Sequence, residues 1–183
     1  GRADEPDPES LASLKVLSES QHGFVVWESN RSGRWRLYRR ELDGSGLRAI
    51  DPEENDREHY CPHLSPDGSR LVYLSYPAGS DTYQPGDPPG GAALFLMNAD
   101  GSDNRRIANS ARAYYEDRGA VWIDDNNLIY IDGEGFTRQL DLNSGSNSRL
   151  TKNGRPGGGF LVNATKTFAT TGEPTFSPFD ANQ

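Results

Sequence analysis

Cysteine is nearly absent. Cys61 stands alone in 183 residues, so no disulfide forms within the chain and the redox setting is unconstrained. Long apolar runs are also missing. None exceeds six residues, far short of the ~20 that a membrane-crossing helix needs. Basic residues are scarce, 19 Lys and Arg against 27 Asp and Glu, for a formal charge of −8. That balance argues against phosphate-dominated nucleic-acid binding, which needs a cationic surplus. Catalytic signatures are missing too. There is no Gly-x-Ser-x-Gly elbow, and the glycines of 154–159 are interrupted by Pro156 rather than leading into a helix. No cofactor motif is present.

What the chain does have is glycine and proline. Its 20 glycines and 12 prolines, with only 33% hydrophobic residues, suit a turn-rich β protein better than a helix bundle. The length suffices for one domain with a core of its own. Residues 3–10 (ADEPDPES) read as a solvated acidic lead-in covering roughly residues 1–14. The chain opens on Gly-Arg-Ala, which fits a processed or excised segment.

Two stretches repeat. ELDGSGLRAI (41–50) aligns without gaps to NADGSDNRRI (98–107) and DLNSGSNSRL (141–150). Each carries a hairpin turn built on Asp or Asn beside Gly. The segments ahead of them, WRLYRREL (35–42), ALFLMNA (93–99) and FTRQLDL (136–142), read as strands. LSPDGSRLVYL (64–74) aligns to LSESQHGFVVW (17–27), VWIDDNNLIYI (121–131) and, more faintly, LVNATKTFATT (161–171). In Ser-Pro-Asp-Gly, Pro presets the first turn dihedral and Gly accepts the second. Each unit is therefore four antiparallel strands. The offsets are 47, 57 and 40 residues, near the ~40–50 expected for a propeller blade. The second unit is lengthened by an insertion, 76–91.

"LSPDGSRLVYLS…ALFLMNADGSDNRRIA" resembles the blade of the TolB-type β-propeller family, most specifically over 64–107. The expected fold is all-β: a propeller of four-stranded antiparallel blades, about three and a half of them, over 15–51, 58–108, 118–151 and 159–183. Rings of this kind hold more blades, so further blades or another domain are expected outside this chain. The stretch EPTFSPFD (173–180) resembles a further turn motif arriving early. The resemblance implies an extracytoplasmic, often periplasmic, setting. It also implies a non-enzymatic scaffold for a protein or peptide, or alternatively the propeller part of a larger secreted enzyme that gates a peptidase site or holds polysaccharide.

In such a blade the short turns (43–46, 65–68, 100–103) share one end. The long connections (51–58, 76–91, 109–119, 152–159) share the other. Loops on a rigid scaffold commonly carry binding. The expected partner-binding residues are Arg57, Tyr76, Asp81, Tyr83, Tyr114, Tyr115, Glu116, Arg118 and Arg155, because Tyr and Arg give large contact areas and directed hydrogen bonds. His59, Cys61 and His63 alternate, so on a regular strand they share a side and form a weak zinc or copper candidate. Pro62 interrupts them and no fourth ligand is near, so no metal is expected. The Asn98-x-Asp100-x-Ser102 and Asp141-x-Asn143 spacings lack the Glu of a calcium loop and read as hairpins. Trp27, Trp35 and Trp122 are expected to pack between blades.

Overall fold

The computed structural model describes residues 22–80, 92–111 and 119–150 in full. It also describes the isolated residues Ala12, Lys15 and Val16, and the backbone of three strands near the C-terminal end. The acidic 3–10 stretch lies outside the described residues. Ala12, Lys15 and Val16 are helical, and every element with described bounds is a strand. The first sheet contains β1 (Phe24–Ser29), β2 (Arg36–Glu41) and β3 (Arg48–Ala49). The second contains β4 (Arg57–Leu64), β5 (Arg70–Pro77), β6 (Ala92–Asn98) and β7 (Arg105–Ala111). The third contains β8 (Val121–Trp122), β9 (Asn127–Ile131), β10 (Thr137–Asp141) and β11 (Asn147–Arg149). The fourth contains β12 (Phe160–Val162), β13 (Phe168–Thr171) and β14 (Glu173–Pro178). Pairing is antiparallel between sequence neighbours throughout, which is the meander of a propeller blade. Ser177 and Pro178 pair with Ala169 and Phe168 within β14, and the rest of that expected turn motif lies outside the described residues.

The middle sheet shows why blades stack. β5 (RLVYLSYP) is buried along nearly its whole length, because both of its faces are covered. Alternate side chains go to opposite sides of a strand. Leu71 and Tyr73 join Leu37, Ile50 and Met97 against the first sheet. Val72 and Leu74 join Leu94, Leu96, Trp122 and Leu128 against the third. Burial holds the Tyr73 hydroxyl well above the usual phenol range, although Asn104 Oδ1 accepts from it at 2.9 Å.

The tryptophans do not all behave alike. Trp122 is buried between the second and third sheets and its Nε1 donates to the His63 carbonyl at 2.9 Å. Trp35 packs on the same core, tilted against Tyr60 at 5.5 Å. Trp27 stacks on Tyr38 within its own sheet, with the Arg31 guanidinium over both rings.

The repeated turns are built alike. In Ser65-Pro66-Asp67-Gly68 the Ser65 hydroxyl donates to Asp67 Oδ1 at 2.6 Å, and Ser65 Oγ accepts from the Arg70 amide at 3.0 Å. Asp67 Oδ1 also accepts from the Ser69 amide at 2.9 Å, and Gly68 takes φ +72°. These hydrogen bonds, that from Ser65 first, hold the Asp67 carboxyl down at about 2. In the hairpins, Asp43, Asp100 and Asp141 accept in the same manner from Ser45, Ser102 and Ser144, and each is lowered for that reason. Asp124 likewise accepts from the amides of Asn126 and Asn127. The hairpin aspartates are thus committed to their own turns, which is the role the spacing suggested.

Candidate functional site

The turns at one end also lock blade to blade. Asp125 Oδ1 accepts from the Asp67 amide at 3.1 Å. Arg70 donates to the Asp125 carbonyl and, at 3.3 Å, to Asn126 Oδ1, while its guanidinium lies 5.6 Å from the Trp122 ring centre. Adjacent Asp124 and Asp125 therefore do different jobs, one inside its turn and one across to the next blade.

The other end is organised differently. The loop from Asn30 to Trp35 meets the 50–56 link between the first and second sheets. The Trp35 carbonyl accepts from the His59 amide at 3.0 Å. Arg34 donates to the carbonyls of Glu54, at 3.2 Å, and Asn55. Arg36 Nε donates to Asp51 Oδ1 at 3.2 Å, and its NH2 group to the Asp51 carbonyl at 2.7 Å. The second Asp51 oxygen lies 2.5 Å from His59 Nδ1. The Asp51 side chain is 0% exposed and that of His59 is 3% exposed. Such burial requires pairing of this kind. Around them opens a cleft of about 140 Å³, lined in part by Arg34, Arg36, Glu54, Arg57 and His59.

Strand β4 carries the expected trio, but not in alternation. Its ladder with β5 shifts between Tyr60 and His63, and Cys61 takes φ +55°. This is a bulge, which re-aims the side chains that follow. His59 turns to Asp51, whereas the Cys61 amide donates to Glu28 Oε2 at 2.5 Å and Cys61 is buried in the core between the second and third sheets. The expectation that His59, Cys61 and His63 share one side therefore fails, and Pro62 was its warning. Among the described residues, no three His, Cys, Asp or Glu side chains gather as metal ligands.

Of the expected partner-binding residues, two are described. Arg57 is half-buried, with Nε donating to Ser75 Oγ at 3.0 Å and a second nitrogen to the Ser75 carbonyl. Tyr76 corrects the expectation. It is 2% exposed, a strand residue set edge-on to Tyr60, because β5 runs on to Pro77 before the insertion departs. Asp81, Tyr83, Tyr114, Tyr115, Glu116, Arg118 and Arg155 lie outside the described residues. Asp51 opens the 51–58 connection and was not among the expected site residues. Its pairing with His59 spans eight residues and has no local sequence mark.

One further carboxylate braces this architecture. Burial pushes Asp132 up, but Arg138 at 2.5 Å and the amides of Phe136 and Glu134 outweigh it and hold the carboxyl below the ordinary range.

No family model matches the chain, and no curated protein matches it in sequence. Solved structures do. TolB from Acinetobacter baumannii aligns at a TM-score of 0.58 and 16% identity, covering 91% of this chain and 37% of that one. A chain of a nidogen–laminin complex aligns at 0.53 and 14%, covering 80% and 51%. A puromycin-hydrolyzing peptidase of Mycobacterium tuberculosis aligns at 0.50 and 17%, covering 69% and 19%. The chain thus spans little more than a third of the TolB chain. Identities this low speak for the fold alone. With meander sheets stacked face to face and repeated Asp-Gly and Ser-Pro-Asp-Gly turns, the chain has a TolB-like β-propeller fold.

Proposed function

We propose that this propeller is a non-enzymatic scaffold that binds a protein or peptide on its face of long loops, in an extracytoplasmic setting. The observation that carries this reading is the difference between the two ends. At the short-turn end the carboxylates of Asp67, Asp100 and Asp124 accept from their own turns, and Asp125 bridges to the next blade. That end has little left to offer a partner. The opposite end, to which the strand order assigns the long connections, has a polar cleft between the first two sheets. The contact set proposed there is Asp81, Tyr83, Tyr114, Tyr115, Glu116, Arg118 and Arg155, with Arg57 at its margin. Rigid scaffolds with variable loops suit recognition. The nidogen–laminin neighbour, a propeller-like chain taken from a protein complex, supports the same reading.

The test is a triple substitution, Y83A/Y114A/Y115A, with capture of the partner from native lysate and the melting temperature measured together. Lost capture with unchanged melting is expected. Unchanged capture would overturn the placement.

A second reading has one observation in its favour, the likeness to the puromycin-hydrolyzing peptidase chain, of which this chain covers 19%. There the catalytic residues would lie in another domain of a longer protein. An open reading frame that joins this chain to a hydrolase domain would favour that reading over the scaffold.

A further inference from the structure

The repeat places arginine where the sheets end. Near the close of the aligned stretches 41–50, 98–107 and 141–150 stand Arg48, then Arg105 with Arg106, then Arg149. They fall on β3, β7 and β11, the last strand of each of the first three sheets. The first strand β4 meets strands of both flanking sheets, so the sheets converge there and their last strands lie at the rim. These rim strands contain no Asp or Glu, in a chain whose formal charge is −8.

All four arginines are exposed. Among the described residues, none of them forms an ion pair. The hairpin carboxylates that precede them, Asp43, Asp100 and Asp141, accept from their own serines instead. Arg106 lies 5.6 Å from the Phe95 ring centre, and Arg149 lies 3.2 Å from that of Phe136. A guanidinium stacked by one face keeps its in-plane N–H donors for a carboxylate.

Strand β7 is the longest of the three rim strands, and in its sheet it pairs with β6 alone. Among the described residues, no turn or loop main chain hydrogen-bonds to its backbone. Ile107 and Ala108 pack into the core and anchor it, while Asn109 and Ser110 are exposed beside the two arginines. Its outer N–H and C=O groups form a row that another strand can match. The charge selects which strand. A second copy would bring an arginine edge of its own, and like charges across a ladder repel. A polyanion without peptide groups would meet the arginines and leave the backbone row unmatched. An acidic strand satisfies both.

We propose that β7 is a docking edge for an extended acidic segment of a protein partner, which adds to the second sheet as a further strand. Arg105 and Arg106 leave β7 on opposite faces, so the matching feature is two consecutive acidic residues. Arg48 and Arg149 on the flanking rims add to the field that draws the segment in. None of these residues belongs to the contact set proposed on the long-loop face, so the two readings fail separately.

Fluorescence anisotropy on the full chain tests it, with the dye-labelled peptide Thr-Val-Glu-Glu-Val-Thr as the probe. Binding is expected, and the version with both Glu replaced by Gln should bind at least about tenfold more weakly. One of the two forms N-methylated at alternate residues should lose as much, because strand addition uses the main-chain N–H groups of one edge. R105Q/R106Q should weaken binding at least about tenfold with an unchanged melting temperature. R48Q/R149Q should weaken it severalfold and flatten its dependence on salt. No binding of the Glu peptide, equal binding of the Gln peptide, or full affinity in R105Q/R106Q would overturn the site. Undiminished binding of both N-methylated forms would overturn strand addition and reduce the rim to a patch for any polyanion.

Discussion

The two ends of this propeller use the same residue types for opposite ends. Around Ser65–Gly68 and the Asp100 hairpin, the carboxylates are exposed, and they close short rings with their own amides and serines. Around Asp51 and His59, a carboxylate and an imidazole are buried and paired across the link between two sheets, with Arg36 on the second carboxylate oxygen. Exposed carboxylates in turns specify geometry at small energetic expense. Buried ones bear on stability and on chemistry, because water no longer screens them.

The largest expected effect lies at the buried end. Asp51→Ala strips both Arg36 and His59 of their carboxylate, and breaking such a pair costs about 3–5 kcal/mol. Urea denaturation measures it. A loss below about 1 kcal/mol would mean that water already reaches the pair, and the contrast between the ends would collapse.

Next come two glycines of the turn end. Both have positive φ, +93° at Gly101 and +72° at Gly68. A Cβ on Gly101 would lie 2.3 Å from the Ile50 carbonyl oxygen, whereas Gly68 has nothing within 4 Å. Gly68→Ala should cost about 1–2 kcal/mol from backbone strain alone. Gly101→Ala should cost about 3 kcal/mol or more, since the backbone of the neighbouring sheet must also move. Equal losses would show that the hairpin does not press on the first sheet.

The smallest effect is acid sensitivity at Asp67. Its folded value near 2 lies below the ordinary carboxylate value of ~3.9. A depressed carboxylate contributes stability that is complete above the unfolded value and is lost as pH falls through the folded one. That contribution should therefore fade between about pH 4 and pH 2. Carboxyl NMR titration should place the Asp67 midpoint near 2 in the native protein, and Ser65→Ala should raise it. A midpoint in the ordinary range would remove the hydrogen bonds from the account.

Much of the fold was legible because turns and strands are local. Pro66, Asp67 and Gly68 spell a turn within four residues, and the apolar run of β5 follows directly. The Asp-Gly-Ser hairpins were legible for the same reason, down to Asp100 serving its own turn. The site was less legible because it depends on contacts between blades. His59 was noticed as part of a ligand-like alternation, yet the bulge at Cys61 broke that alternation and Asp51 took the imidazole. Tyr76 opens the 76–91 insertion in the sequence, but β5 runs on through Pro77 and keeps its side chain in the core. Neither Asp51 nor Tyr76 announces its surroundings in its immediate neighbours.

Hydroxyl-radical footprinting of the chain with and without its captured partner tests the central claim most directly. Protection should fall on Tyr83, Tyr114 and Tyr115 in the long connections, and leave the turns at 65–68, 100–103 and 124–127 as reactive as in the free protein. Protection centred on those turns, with the long loops unchanged, would contradict the account.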